Sequence, residues 1–206
     1  MTHVADKLIE LLNIEQLEVD LFRGIGSGGE TTTRIFGGHV IAQALMAAYR
    51  TVPDRLCHSL HAYFIRPGDP KIPVIYQVDR ARDGGSFTTR RVVAIQHGKQ
   101  IFNLSASFHV DEEGWNYQHP MPQVGSPEDW PNRDELREAH VAKIPEKYHD
   151  DFLRQRPIEL REVAPRDFFT PEKASDKNQL WFRMESAKGQ GPQMQHCLLA
   201  YASDMN

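Results

Sequence analysis

Hydrophobic positions along this chain gather into one helix-like stretch and a series of strand-like runs after it. Across residues 36–49 almost every side chain is small or aliphatic, and Val40, Ile41, Leu45, Ala48 and Tyr49 fall near helical spacing. A helix apolar nearly all round is a buried helix. Four runs follow. The first, 58–66, stops at Pro67-Gly68, a turn signal. The second, 72–78, leads into Asp83-Gly84, a hairpin signal. The third, 86–96, has both faces polar at its start and apolar later, and His97-Gly98-Lys99 separates it from the fourth, 100–110. Connections this short favour antiparallel neighbours, so the economical arrangement is a meander of strands wrapped on one central helix.

The flanking segments extend the picture. Residues 4–12 predict a short amphipathic helix through Leu8, Ile9, Leu11 and Leu12, and 17–23 a first strand. The Gly-rich stretch 24–29 reads as a mobile loop. From 111 to 157 prolines and charges replace the strand pattern, with helical turns expected at 133–141 and 146–152. Strand candidates return at 158–163 and 180–185, followed by a helix over 193–203 with Met194, Cys197, Leu198 and Tyr201 along one side. Strand, loop, strand, buried helix resembles the opening of a second copy of the first unit. The expected organisation is therefore an N-terminal unit at 1–111, a linker at 112–157 and the start of a second, incomplete unit at 158–206.

Composition narrows the class. A net charge of −4 from 28 acidic and 24 basic residues leaves no basic footprint for nucleic acid. No apolar stretch approaches the ~20 residues that span a bilayer, so no stable membrane insertion is expected. Residues 1–10 carry Asp6 and Glu10 and lack a signal peptide's apolar segment. Two cysteines, Cys57 and Cys197, make no disulfide framework and suit a reducing compartment; the cytoplasm is the default location. No His/Cys cluster has zinc-ligand spacing and no Gly-rich nucleotide loop is present, so neither metal nor cofactor is implied.

Several segments together carry a family resemblance. Leu21-Phe22-Arg23-Gly24, Phe36-Gly37-Gly38, the run from His58 to Phe64, Arg66-Pro67-Gly68-Asp69, the run from Asp83 to Val92, Ala106-Ser107-Phe108 and Tyr201-Ala202-Ser203-Asp204 occur in this order. In residues and spacing they resemble the signature segments of the acyl-CoA thioesterase II family. The resemblance implies an α+β hotdog fold, an antiparallel sheet around a long helix, in two units fused in tandem. It implies hydrolysis of medium- to long-chain fatty acyl-CoA to free acid and coenzyme A. It also implies a water held by an Asp on the second unit's helix, matching Asp204, together with a Thr or Ser and a Gln from later strands. Those two would lie beyond Asn206, so the 206-residue chain is expected to be an incomplete enzyme. A homo-oligomer is expected, because hotdog units commonly pair.

The residues themselves leave alternatives open. An Asp at a helix C-terminus has the wrong sign for the dipole, which argues mildly against a purely stabilising Asp204. Gly37 and Gly38 either leave N–H groups for an anion or carbonyl oxygen, or allow close helix–sheet packing. His58 and His61, three apart on a strand, should face opposite sides; His58 is the better candidate base, with a structural role as the alternative. Arg90 and Arg91, with Arg66 and Arg82, are candidates for the phosphates of coenzyme A or for ordinary strand-edge charges. Two function classes result: a thioesterase, or a non-catalytic acyl-binding or assembly module.

Overall fold

In a computed structural model, which describes residues 4–25, 33–167, 169, 170, 173 and 176–205, the buried helix is α2, Gly37–Tyr49. Phe36, the residue before it, offers no side-chain cap, so tertiary packing holds the helix; every residue from Gly38 to Tyr49 is buried. Before it come α1 (Val4–Leu12), β1 (Glu15–Glu18) and β2 (Leu21–Gly24); after it come β3 (Leu56–Phe64), β4 (Val74–Asp83), β5 (Phe87–Gln96) and β6 (Lys99–His109). These six strands form one antiparallel sheet whose inner face packs Tyr76, Val92, Phe102, Leu104 and Phe108 toward α2.

Three details depart from expectation. The single strand at 17–23 is a hairpin, turned at Asp20 in the left-handed region, which Asp tolerates. The strand expected at 72–78 runs on to Asp83. The sheet order is β1-β2-β4-β5-β6-β3, so β3 pairs with β6 and not with β4. Only β4, β5 and β6 form the meander. Residues 65–73 are long enough to cross the end of the sheet, and buried Gln96 holds them there. Its Oε1 accepts from Asp69 N–H at 2.8 Å, and its Nε2 donates to Asp69 O and Ile72 O at 3.0 Å.

Polar side chains tie the remaining layers to α2. Gln43 Oε1 accepts from the fully buried Tyr76 hydroxyl at 2.8 Å, and Gln43 Nε2 donates to Leu11 O at 2.7 Å, fixing the end of α1. His39, also fully buried, donates from Nε2 to Ile25 O at 3.0 Å. The Gly-rich residues 26–29 that follow lie outside the described residues. Burial lowers the His39 pKa from 6.5 to about 4. Between those values the unfolded chain takes up a proton that the folded chain refuses, so stability is present above pH 6.5 and is lost as pH falls toward 4. The expected loss across that window is about 3 kcal/mol. Urea unfolding at pH 7 and pH 4.5 should show a larger acid loss for the wild type than for His39→Gln. Equal losses would remove His39 as the cause.

By packing, the chain divides into two compact units, 1–114 with 186–206, and 115–185. The second unit holds α3 (Arg133–His140), α4 (His149–Phe152) and an antiparallel pair, β7 (Glu159–Glu162) and β8 (Leu180–Arg183). Asn132 caps α3, accepting from Asp134 N–H at 3.0 Å, while the Arg133–Glu162 ion pair joins α3 to β7. The last helix, α5 (Pro192–Ala202), belongs to the first unit because it packs along α2. The two helices run antiparallel. Near the end of α2 the Tyr49 hydroxyl meets His196 Nδ1 on α5 at 2.7 Å and accepts from Cys57 N–H at 2.9 Å; at the start of α2 lies the end of α5. Among the described residues no helix is long and apolar enough to cross a membrane.

Candidate active site

The antiparallel pairing brings the C-terminal end of α5 onto the first turn of α2. Asp204 follows the last turn of α5, whose backbone closes through Ser203 N–H to Leu199 O at 3.0 Å. Its carboxylate Oδ2 accepts from Gly38 N–H at 2.9 Å. That contact explains a charge that is misplaced for its own helix: the carboxylate sits at the positive end of α2, where an anion is favoured. Phe36 meets the Tyr201 ring edge-on, centroids 5.0 Å apart.

Both glycines sit at this close approach. A Cβ on Gly38 would run into the Tyr201 carbonyl oxygen, and one on Gly37 would lie 2.6 Å from Asp204 Oδ2 and 2.6 Å from the Phe64 ring. At Gly38 the close approach is between two helices, and at Gly37 it also involves Phe64 at the end of β3. Gly38 N–H is already used by Asp204. Gly37 N–H, one position earlier, is beyond any intrahelical acceptor.

Gly37 and Asp204 border one cavity of about 610 Å³. Its apolar wall is Ile35, Phe36, Val40, Phe64, Ile65, Ile101 and Phe102, with Phe64 and Phe102 tilted together at 5.3 Å. Arg34 and Arg66 also line it. Such a volume and lining, apolar with few convergent polar groups, suits a small-molecule site.

The structure brings Gly37, Gly38 and Asp204 together and leaves the other candidates elsewhere. His58 lies on the outer face of the sheet, where Nε2 meets Ser107 Oγ at 2.8 Å and the ring neighbours Phe87 and His109. A bulge between Cys57 and Ser59 makes His58 the extra residue and resets the alternation. His61, paired with Ser105, therefore shares His58's face instead of opposing it. His58 has no access to Asp204, and its assignment as base is withdrawn.

Arg90 is 1% exposed and uses all five of its donors inside the protein. Nε donates to Thr51 Oγ1, Nη1 to Arg82 O and Thr89 O, and Nη2 to Thr51 O and Asp83 Oδ1, at 2.6–3.1 Å. It clamps the β4–β5 hairpin to the end of α2 and has nothing left for a phosphate. Arg91 alternates to the exposed outer face and is likewise absent from the cavity. Both cysteines are free, and burial raises the thiol pKa of each, which makes them poor nucleophiles. Among the described residues no three His, Cys, Asp or Glu side chains stand together as a metal ion would require.

Phe64 and Arg34 were not expected at a site. Phe64 ends a strand whose alternation says nothing about a cavity, and Arg34 precedes the helix without any motif of its own.

The chain is similar to known proteins over most of its length. A family model described as the acyl-CoA thioesterase N-terminal domain matches residues 27–109. Acyl-CoA thioesterase 2 of Haemophilus influenzae is 38% identical over 207 residues, which cover 100% of this chain and 72% of that protein. Acyl-coenzyme A thioesterase 8 of Rattus norvegicus is 38% identical over 203 residues, covering 94% of this chain and 63% of its relative. The crystal structure of acyl-CoA thioesterase II TesB2 from Mycobacterium marinum superposes with a TM-score of 0.73 at 39% identity, over 97% of this chain and 68% of that one. A hot dog fold protein from Alicyclobacillus acidocaldarius, 21% identical with a TM-score of 0.73, shares the fold. With an antiparallel sheet around a buried helix and relatives of this similarity, the chain is a hotdog protein and belongs to the acyl-CoA thioesterase II family.

Proposed function

We propose that this protein hydrolyses medium- to long-chain fatty acyl-CoA to free fatty acid and coenzyme A. One observation carries the reading: a carboxylate, Asp204, sits at a helix N-terminus on the border of an aromatic-lined cavity. The acyl chain lies along Phe36, Phe64, Ile101 and Phe102, and the thioester carbonyl reaches the first turn of α2. Gly37 N–H donates to the carbonyl oxygen as charge develops on it. Asp204, held by Gly38 N–H through one oxygen, uses the other to orient a water and take its proton. The water oxygen bonds to the carbonyl carbon, the C–S bond breaks, and the thiolate leaves to be protonated as the free thiol.

The test is thiol release from octanoyl-, lauroyl- and palmitoyl-CoA. Saturable turnover that improves with chain length supports the reading, because a longer tail covers more of the apolar wall. Tight binding of palmitoyl-CoA with no thiol released would overturn it in favour of a non-catalytic acyl-binding module.

A further inference from the structure

One side chain of the apolar wall comes up against the groups that Gly37 and Asp204 present to a thioester. Phe64 ends β3 opposite Phe102 of β6, and the two rings tilt together with centroids 5.3 Å apart. Phe102 is buried and packs on one side of the Phe64 ring, while Phe64 itself is 54% exposed and borders the cavity. The tip of that ring reaches the first turn of α2. A Cβ on Gly37 would lie 2.6 Å from Phe64 Cζ and 2.9 Å from Cε1, and the same point is 2.6 Å from Asp204 Oδ2. Ring tip and carboxylate therefore flank one spot beside the Gly37 Cα, the first reaching it from a strand end and the second from a helix end.

We propose that Phe64 sets specificity at C2 of the acyl chain, so that the protein selects thioesters unbranched next to the carbonyl over 2-methyl-branched ones. This assignment rests on the acyl-CoA reading above. A thioester with its carbonyl oxygen on Gly37 N–H and its carbonyl carbon before the water on Asp204 has little freedom in the course of its next carbon. C2 must leave toward the apolar wall, and at Gly37 the edge of that wall is the Phe64 ring. The hydrogens of an unbranched C2 lie against the ring. A methyl there has two ways to fit. Either the ring turns off Phe102 and gives up the aromatic contact, or the carbonyl withdraws from Gly37 N–H, and a misplacement of about 1 Å can cost about 10²-fold in rate. One misfitting methyl group in an apolar site discriminates by about 10–200-fold. Because the ring bounds C2 from one side, the two 2-methyl enantiomers should suffer unequally. A methyl at the far end of the tail lies beyond the reach of Phe64.

The experiment compares isomeric substrates, so that apolar area stays constant and only the position of the branch changes. Thiol release would give kcat/KM for palmitoyl-CoA, 14-methylpentadecanoyl-CoA and each enantiomer of 2-methylpentadecanoyl-CoA. The proteins are the wild type, Phe64→Leu and Phe64→Ala. The wild type should hydrolyse the slower 2-methyl enantiomer at least tenfold less efficiently than the 14-methyl isomer. Phe64→Ala should shrink that ratio at least fivefold, with Phe64→Leu between the two. The lower reactivity of any branched thioester, and whatever the substitution costs in general activity or folding, cancel when these ratios are compared. A wild-type ratio below threefold for both enantiomers, or a ratio left unchanged by Phe64→Ala, would overturn the assignment while palmitoyl-CoA turnover keeps the thioesterase reading standing. No thiol from any of the four substrates would sink that reading and the specificity with it.

Discussion

Replacing Asp204 by asparagine should lower kcat for palmitoyl-CoA by about 10²–10⁴-fold, the contribution expected of a positioned general base. The fold should survive. An asparagine oxygen still accepts from Gly38 N–H, and the lost charge–dipole attraction at α2 amounts to about 0.3–1 kcal/mol. Asp204→Ala removes the hydrogen bond as well and should cost about 1 kcal/mol more, comparable to loss of an N-cap. Thiol-release kinetics run beside thermal melts separate the two effects. A kcat for Asp204→Asn within a few-fold of wild type would take Asp204 out of the mechanism.

The glycine pair should respond to alanine in two different ways. At an ordinary helix position Gly→Ala gains about 1 kcal/mol from propensity. At Gly38 the added Cβ meets the Tyr201 carbonyl oxygen, a backbone atom that moves only if α5 moves. Overpacking of this kind costs about 1–3 kcal/mol and sometimes more, so the clash outweighs the propensity gain and Gly38→Ala should melt several degrees lower. At Gly37 the neighbours are the Asp204 carboxylate and the tip of the Phe64 ring, both ends of side chains that can swing away. Gly37→Ala should therefore fold nearly as well as wild type and lose at least tenfold in kcat, because the carboxylate that yields is the working one. Calorimetric melts and steady-state kinetics on both variants check the contrast. A destabilised Gly37→Ala with unchanged kcat would reverse the assignment of which glycine serves packing and which serves chemistry.

Much of the architecture was legible from local signals, and the exceptions have a common cause. The largely apolar 37–49 helix and the β4–β6 hairpins follow from periodicity and from Asp83-Gly84 and His97-Gly98, which act over a few residues. The place of β3 does not, because a distant side chain, Gln96, holds the crossing segment that carries the chain from β3 to β4. His58 was misjudged for a similar reason. Strand alternation assumes an unbroken ladder, and the bulge opposite Phe108 and Ser107 breaks it.

The site divides the same way. Asp204 stood out as a carboxylate of the wrong sign for its helix, and the missing partner was the N-terminus of α2, which no pattern near Asp204 reveals. The arginines were sorted only by tertiary structure. In sequence Arg90 and Arg91 look alike, yet one is sealed under five hydrogen bonds and the other faces outward, while Arg66 reaches the cavity through a loop clipped at Gly68.

The central claim is that Asp204 directs a water at the thioester carbon and does not itself attack it. A single turnover of palmitoyl-CoA by excess protein in oxygen-18-labelled water tests it most directly, with mass spectrometry of both the fatty acid and the peptide containing Asp204. The account predicts one heavy oxygen in the palmitate of the first turnover and none in Asp204. Unlabelled palmitate in that turnover, with heavy oxygen in the Asp204 carboxylate, would contradict it and make the aspartate a nucleophile.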